Sequence, residues 1–92
     1  MPVKISYDPA KNARNIAERG LSFERVVAFE FETAVIVDDT RRDYGETRHR
    51  ATGWMNGRLF VLVFVHAKDC LRVISFRKAN LREVQRYEQS QS

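Results

Sequence analysis

"TRHRATGWMNGRLFVLVFV" runs from Thr47 to Val65, and its reading decides the fold. Asn56-Gly57 lies between two strand-like runs. Both residues tolerate positive φ, so the pair predicts a two-residue type I′ hairpin turn. Leu59–Val65 is apolar at every position, which predicts an inner strand covered on both faces. The turn fixes the register. Met55 pairs with Arg58, Trp54 with Leu59, and Arg48 with Val65. Directly opposed residues point to the same side of a sheet.

The next turn, "HAKDC" (His66–Cys70), leads into a last strand, Leu71–Arg77. If that turn has two or four residues, Val65 also pairs with Arg72. One face then carries Glu46, Arg48, Arg50, Thr52 and Trp54, with Val61, Val63, Val65, Arg72, Ile74 and Phe76. The other carries His49, Ala51, Phe60, Leu62, Phe64, His66, Val73 and Ser75, and is the better core face. The first face gathers three arginines and a glutamate at one end. An odd-length turn would send Arg72 to the other side.

Upstream, "VKISY" (Val3–Tyr7) alternates as a short strand. Asp8-Pro9 is a helix start, and Gly20 a helix stop. Ser22 caps a second helix, roughly Phe23 to Phe31, with Val26, Val27 and Phe31 on its apolar side. Thr33–Asp39 is a strand and Thr40–Gly45 a loop. Asn80, with Glu83 three residues on, opens a final helix whose stripe is Leu81, Val84 and Tyr87. The expected order is β-α-α-β-β-β-β-α: a single α+β domain over residues 1–92, with a small antiparallel sheet, two N-terminal helices and one C-terminal helix. The "QSQS" tail is expected to fray.

The chain has 92 residues, 43% of them hydrophobic and 30% charged, a globular composition. It contains no apolar run of about 18 residues, so no membrane-spanning helix is expected. Its first residues lack a signal-peptide pattern. Cys70 is the lone cysteine, which fits a cytoplasmic home. Residues 1–40 carry five basic and seven acidic side chains, whereas residues 41–92 carry eleven and five, a net +6. Such a half-chain attracts a polyanion, or is simply a solvated basic surface. Two histidines and scattered carboxylates make no metal signature, so no metal or cofactor is expected.

Five motifs in order then add up to a resemblance: "YDPAKNARN" (Tyr7–Asn15), "GLSF" (Gly20–Phe23), "GETR" with "TG" (Gly45–Arg48, Thr52–Gly53), "RVISFRKA" (Arg72–Ala79) and "REVQRYE" (Arg82–Glu88). The chain resembles the BrnT family, ribonuclease toxins of type II toxin–antitoxin systems. The resemblance implies a RelE-like fold and RNA cleavage that inhibits translation. It also implies a BrnA-like ribbon-helix-helix antitoxin, in a 2:2 complex that binds operator DNA through the antitoxin. Two departures stand out. Glu18-Arg19-Gly20 replaces a common Lys-His-Gly, and Phe76 stands where a small residue is usual.

A ribonuclease without metal uses the RNA's own 2′-OH, and needs a base, cations for the phosphorane and an acid. Glu46 is the candidate base; a salt-bridge partner of Arg48 or Arg72 is the alternative. Arg48, Arg72 and Arg77 are candidate phosphate clamps, because guanidinium forks match phosphate oxygens. Arg50 and Lys78 are further RNA-binding candidates. Trp54 and Tyr87 can stack on bases or pack, and Trp54 or Tyr44 can anchor an antitoxin. His49 is expected as a buried, hydrogen-bonded core residue. Lys11 and Asn15 share a helix face that reads as solvated. A non-catalytic basic module that only binds nucleic acid or an acidic partner remains the competing function.

Overall fold

The computed structural model describes residues 4–40 and 45–91. Its elements are β1 (Ile5–Tyr7), α1 (Pro9–Arg19), two 3-10 segments (Phe23–Ala28 and Phe31–Thr33), β2 (Val35–Asp39), β3 (Arg48–Met55), β4 (Arg58–Ala67), β5 (Cys70–Lys78) and α2 (Leu81–Gln91). Val3 and Tyr44, with most of the expected 40–45 loop, lie outside the described residues.

The hairpin forms as expected. Asn56 and Gly57 take φ of 52° and 77°, and Met55 pairs with Arg58. The sheet order is β1-β5-β4-β3-β2, so β4 is the middle strand. Every residue from Leu59 to Val65 is buried. The sheet is mixed rather than purely antiparallel, because β1 lies parallel to β5. The connection between them spans residues 8–69, with α1 and the other three strands in it, far more than the dozen residues or so that a parallel pairing requires.

Local chemistry sets the helix ends. Asp8 accepts a hydrogen bond from the Ala10 N–H at 2.9 Å, and Gly20, at φ 65°, closes α1 by donating to Ile16 O. The second expected helix is instead 3-10. Its Val26 is buried, but Val27 is 69% exposed and not on a core face. At the other end of the chain, Leu81 is also exposed, so α2 packs through Val84 and Tyr87. Asn80 and Glu83 form a reciprocal capping box, with N–H donors bonded at 2.8 and 2.9 Å. Rather than fraying at Gln89, α2 continues to Gln91.

The core lies on one side of the sheet. Leu21, Phe23, Val26 and Phe29 pack on Ala51, Met55, Phe60, Leu62, Phe64, Leu71, Val73 and Phe76. Two of these strand residues, Val73 and Phe76, are three apart, which no regular strand can place on one face. The register shifts to allow it. Phe64 pairs with Val73, but Val63 pairs with Ser75, leaving Ile74 as a bulge. Phe76 therefore enters the core at 0% exposure, opposite Leu62, rather than sharing a face with Arg72. Ser75 moves the other way. So does Arg77, which now stands opposite Val61.

β1 pairs with β5 only as far as Val73, so the outer edge of β5 beyond it needs other partners. Asn15 supplies one. Its side-chain NH₂ donates to Phe76 O at 2.9 Å and to Leu21 O at 2.8 Å. It is buried, not solvated as its helix position suggested.

Gly53 shows how closely the 3-10 segments approach β3. A Cβ there would lie 2.8 Å from Phe29 Cζ, 2.9 Å from Ala34 Cβ and 3.3 Å from Ala34 Cα. Phe29 is buried and Ala34 cannot swing away. Gly53→Ala is expected to cost about 1–3 kcal/mol. Chemical denaturation checks this; unchanged stability would mean the segment yields.

Candidate functional site

The face opposite the core carries the charge. Arg50 and Thr52 of β3 pair with Val63 and Val61 of β4, and Arg48 lies two residues before Arg50 on the same side of β3. Beyond those valines lie Arg72, Ser75 and Arg77 of β5. The predicted pairing of Val65 with Arg72 holds, because the β4–β5 turn has two residues, Lys68-Asp69. Methylene stems of the arginines flank the buried valines while their heads reach outward.

Glu46 stands between two of these arginines. One Arg72 terminal nitrogen (Nη2) donates to both Glu46 oxygens at 2.7 Å. Arg48 Nε lies 3.6 Å from Glu46 Oε2. The Arg72 hydrogen bond holds the Glu46 carboxyl below its ordinary 4.5. Partial burial opposes this, and the charges of Arg72 and Arg48 reinforce it.

A second ion pair lies at the other end of the face. Arg77 Nη1 and Nη2 donate to Glu83 Oε1 and Oε2, each at 2.8 Å. This fork-to-fork pair ties β5 to the first turn of α2. The Arg77 bond pushes the Glu83 carboxyl down to about 2 against the effect of burial, helped by the Asn80 N–H and by the charges of Arg77 and Arg50. Arg72 and Arg77 thus share a face, roughly 13 Å apart along the strand at about 3.3 Å per residue of β4. Arg50 sits between them.

The other candidates divide. Trp54 is on the basic face but half-buried, its ring edge-on to Tyr87 at 6.0 Å. Tyr87 is 6% exposed and donates to Thr33 O at 2.8 Å, so it docks α2 on the sheet and presents only part of its ring. Lys78 stands opposite Phe60, on the core side, away from the cluster. His49 is on the core side as expected, but at its rim. It is partly exposed, with Nδ1 3.1 Å from Asp38 Oδ1 and its ring 5.3 Å from Phe64 and 5.7 Å from His66.

Sequence reasoning missed two residues. Glu83 was legible as a cap but not as the partner of Arg77, because the bulge decides where Arg77 points. Asn15 gave no signal beyond its place in a polar helix. Among the described residues, no group of three His, Cys, Asp or Glu could hold a metal ion. No described helix is long and apolar enough to cross a membrane. The chain matches, over residues 7–83, the family described as ribonuclease toxin, BrnT, of type II toxin–antitoxin system. No curated protein matches it.

Proposed function

The chain belongs to the BrnT family of ribonuclease toxins of type II toxin–antitoxin systems, and from that premise we propose that its basic face cuts RNA without a metal, by 2′-OH transesterification. Membership brings an RNA target and a protein antitoxin. The observation that carries the proposal is Glu46, a carboxylate held between Arg72 and Arg48 on the face that also bears Arg50 and Arg77.

The chemistry follows from that grouping. A phosphate entering the face competes with Glu46 for Arg72. Arg72 and Arg48 then hold the non-bridging oxygens and stabilise the charge that builds on the phosphorane. Glu46, released from its main hydrogen bond and placed near an anion, rises in pKa and becomes a stronger base. It takes the 2′-OH proton. The 2′-oxygen–phosphorus bond forms, the bond to the 5′-oxygen breaks, and that oxygen takes a proton from solvent. The products are a 2′,3′-cyclic phosphate and a 5′-hydroxyl. Arg77 and Arg50 bind flanking phosphate or base, and Trp54 borders the same face. Arg77 must leave Glu83 to do so.

The pH–rate profile tests this. The acid limb of kcat/KM reports the free protein, where Glu46 sits below 4.5. The acid limb of kcat reports the complex and is expected at higher pH. Coincident limbs, or an acid limb unchanged in Glu46→Gln, would remove Glu46 as the base.

The element order and sheet support a RelE-like fold, and the proposed place of action is the cytoplasm. The proposed partner is a BrnA-like ribbon-helix-helix antitoxin in a 2:2 assembly that reads operator DNA through the antitoxin. Its toxin-binding segment is acidic and crosses the basic face, with Trp54 as an apolar anchor. Charge steering then sets the association rate. Arg48→Ala with Arg72→Ala is expected to slow association at low salt and weaken its salt dependence. A rate unchanged at low and high salt would place the antitoxin elsewhere.

A further inference from the structure

Beside the Glu46 cluster, α2 and the β2–β3 pair enclose a cleft of about 120 Å³. Val35, Val37 and Tyr87 give it apolar walls, and Arg50, Thr52 and Arg86 give it donors. Resting on the ribonuclease reading above, we propose that this cleft is the base-recognition site of the protein, and that it takes a guanine next to the cut phosphate.

Arg50 distinguishes this cleft from the rest of the face. Arg72 is bonded to Glu46 and Arg77 to Glu83. The Arg50 side chain is half-buried and acts on Glu83 through its charge, yet among the described residues it makes no hydrogen bond or close ion pair, and the Thr52 hydroxyl makes none either. A partly desolvated guanidinium gains most from an acceptor pair supplied by a ligand. Arg86, exposed on α2, brings a second guanidinium to the same opening.

The donors select the base. Guanine offers two adjacent acceptors, O6 and N7, which an arginine fork matches. Adenine presents an amino donor in place of O6, which faces the guanidinium donor to donor. Glu83 also lines the cleft. Among the described residues its Oε2 accepts from Arg77 alone, which leaves one lone pair for the N1–H of guanine. The cleft has room for one base between its apolar walls. Position agrees as well. Arg50 is two residues from Arg48 on β3, about 7 Å along the strand. A base seated at Arg50 therefore belongs to a nucleotide adjoining a phosphate held at Arg48 and Arg72.

The test is an NMR titration of the full chain with guanosine 3′-monophosphate, and separately with the adenosine, cytidine and uridine analogues. The guanosine nucleotide is expected to shift the Val35 and Val37 methyls and the Tyr87 ring. It should do so at concentrations at least about fivefold lower than the other three. Arg50→Ala should abolish that preference, and Arg86→Gln should reduce it; each side chain is at the surface, and the unshifted core methyls of Leu62 and Val73 report that the fold is intact. Equal binding of all four nucleotides, or shifts that avoid Val35 and Tyr87, would overturn the proposal. The readout does not depend on cleavage. A chain that binds guanosine here but cuts no RNA keeps the base site and loses the ribonuclease reading. A chain that cuts without base preference does the reverse.

Discussion

Arg72→Ala is expected to lower RNA cleavage by about 10²–10³-fold, the loss typical of removing one preorganised donor from a developing anion. The same change at Arg14, exposed on α1, should leave the rate within about twofold. Arg72 holds Glu46 through two 2.7 Å contacts in the free protein and stands opposite Val65, and in the proposed reaction it passes from Glu46 to the phosphate. Arg72→Lys keeps the charge but loses the fork, so it should restore only part of the rate. The proposed mechanism has Arg72 and Glu46 act as a unit, so the double replacement should cost much less than the product of the two single losses. Single-turnover rates on one short RNA check all of these. Multiplicative losses would mean the two residues act independently.

Phe76→Ala is expected to destabilise the fold by about 3–5 kcal/mol, a large part of the 5–15 kcal/mol available to an ordinary domain. Phe76 has no exposure, packs between Phe29 and Phe60 with ring centroids at 6.2 and 5.3 Å, and its carbonyl is held by Asn15. For a domain of this size the melting temperature should fall by at least about 12 °C. Function should suffer with it. The bulge that carries Phe76 inward is the same one that carries Arg77 outward, so a loosened β5 also frees Arg77 from its place opposite Val61. A loss below 1 kcal/mol by calorimetry would show that Phe76 does not anchor the register.

The hairpin was legible because Asn56-Gly57 allows one turn geometry, and that turn propagates a register through Arg48 and Val65. The placing of Glu46 and Arg48 followed from it, whereas Arg72 joined them only on condition that the next turn had an even length, as its two residues satisfy. Arg77 was expected in one patch with Glu46, Arg48 and Arg72, but the regular alternation of the last strand gave no reason for it to share their face. Its direction depends on one extra residue, Ile74, whose sequence trace is only the three-residue spacing of Val73 and Phe76. That spacing also explains the large residue at position 76, which fills the core and does not narrow the basic surface. Lys78 was misplaced by the same reasoning, since the shift sends it to the Phe60 side. The parallel pairing of β1 with β5 was not legible, because neither strand encodes the direction of its neighbour. The role of Asn15 follows from that pairing: only a short β1 leaves Phe76 O in need of a donor.

The most direct test of the central claim is cleavage of a naked, end-labelled RNA by the purified chain in excess EDTA. Cutting is expected at an undiminished rate, with products ending in 2′,3′-cyclic phosphate and 5′-hydroxyl, and none with Arg72→Ala over the same interval. Cutting that EDTA abolishes and Mg²⁺ restores, or products carrying a 5′-phosphate, would contradict it.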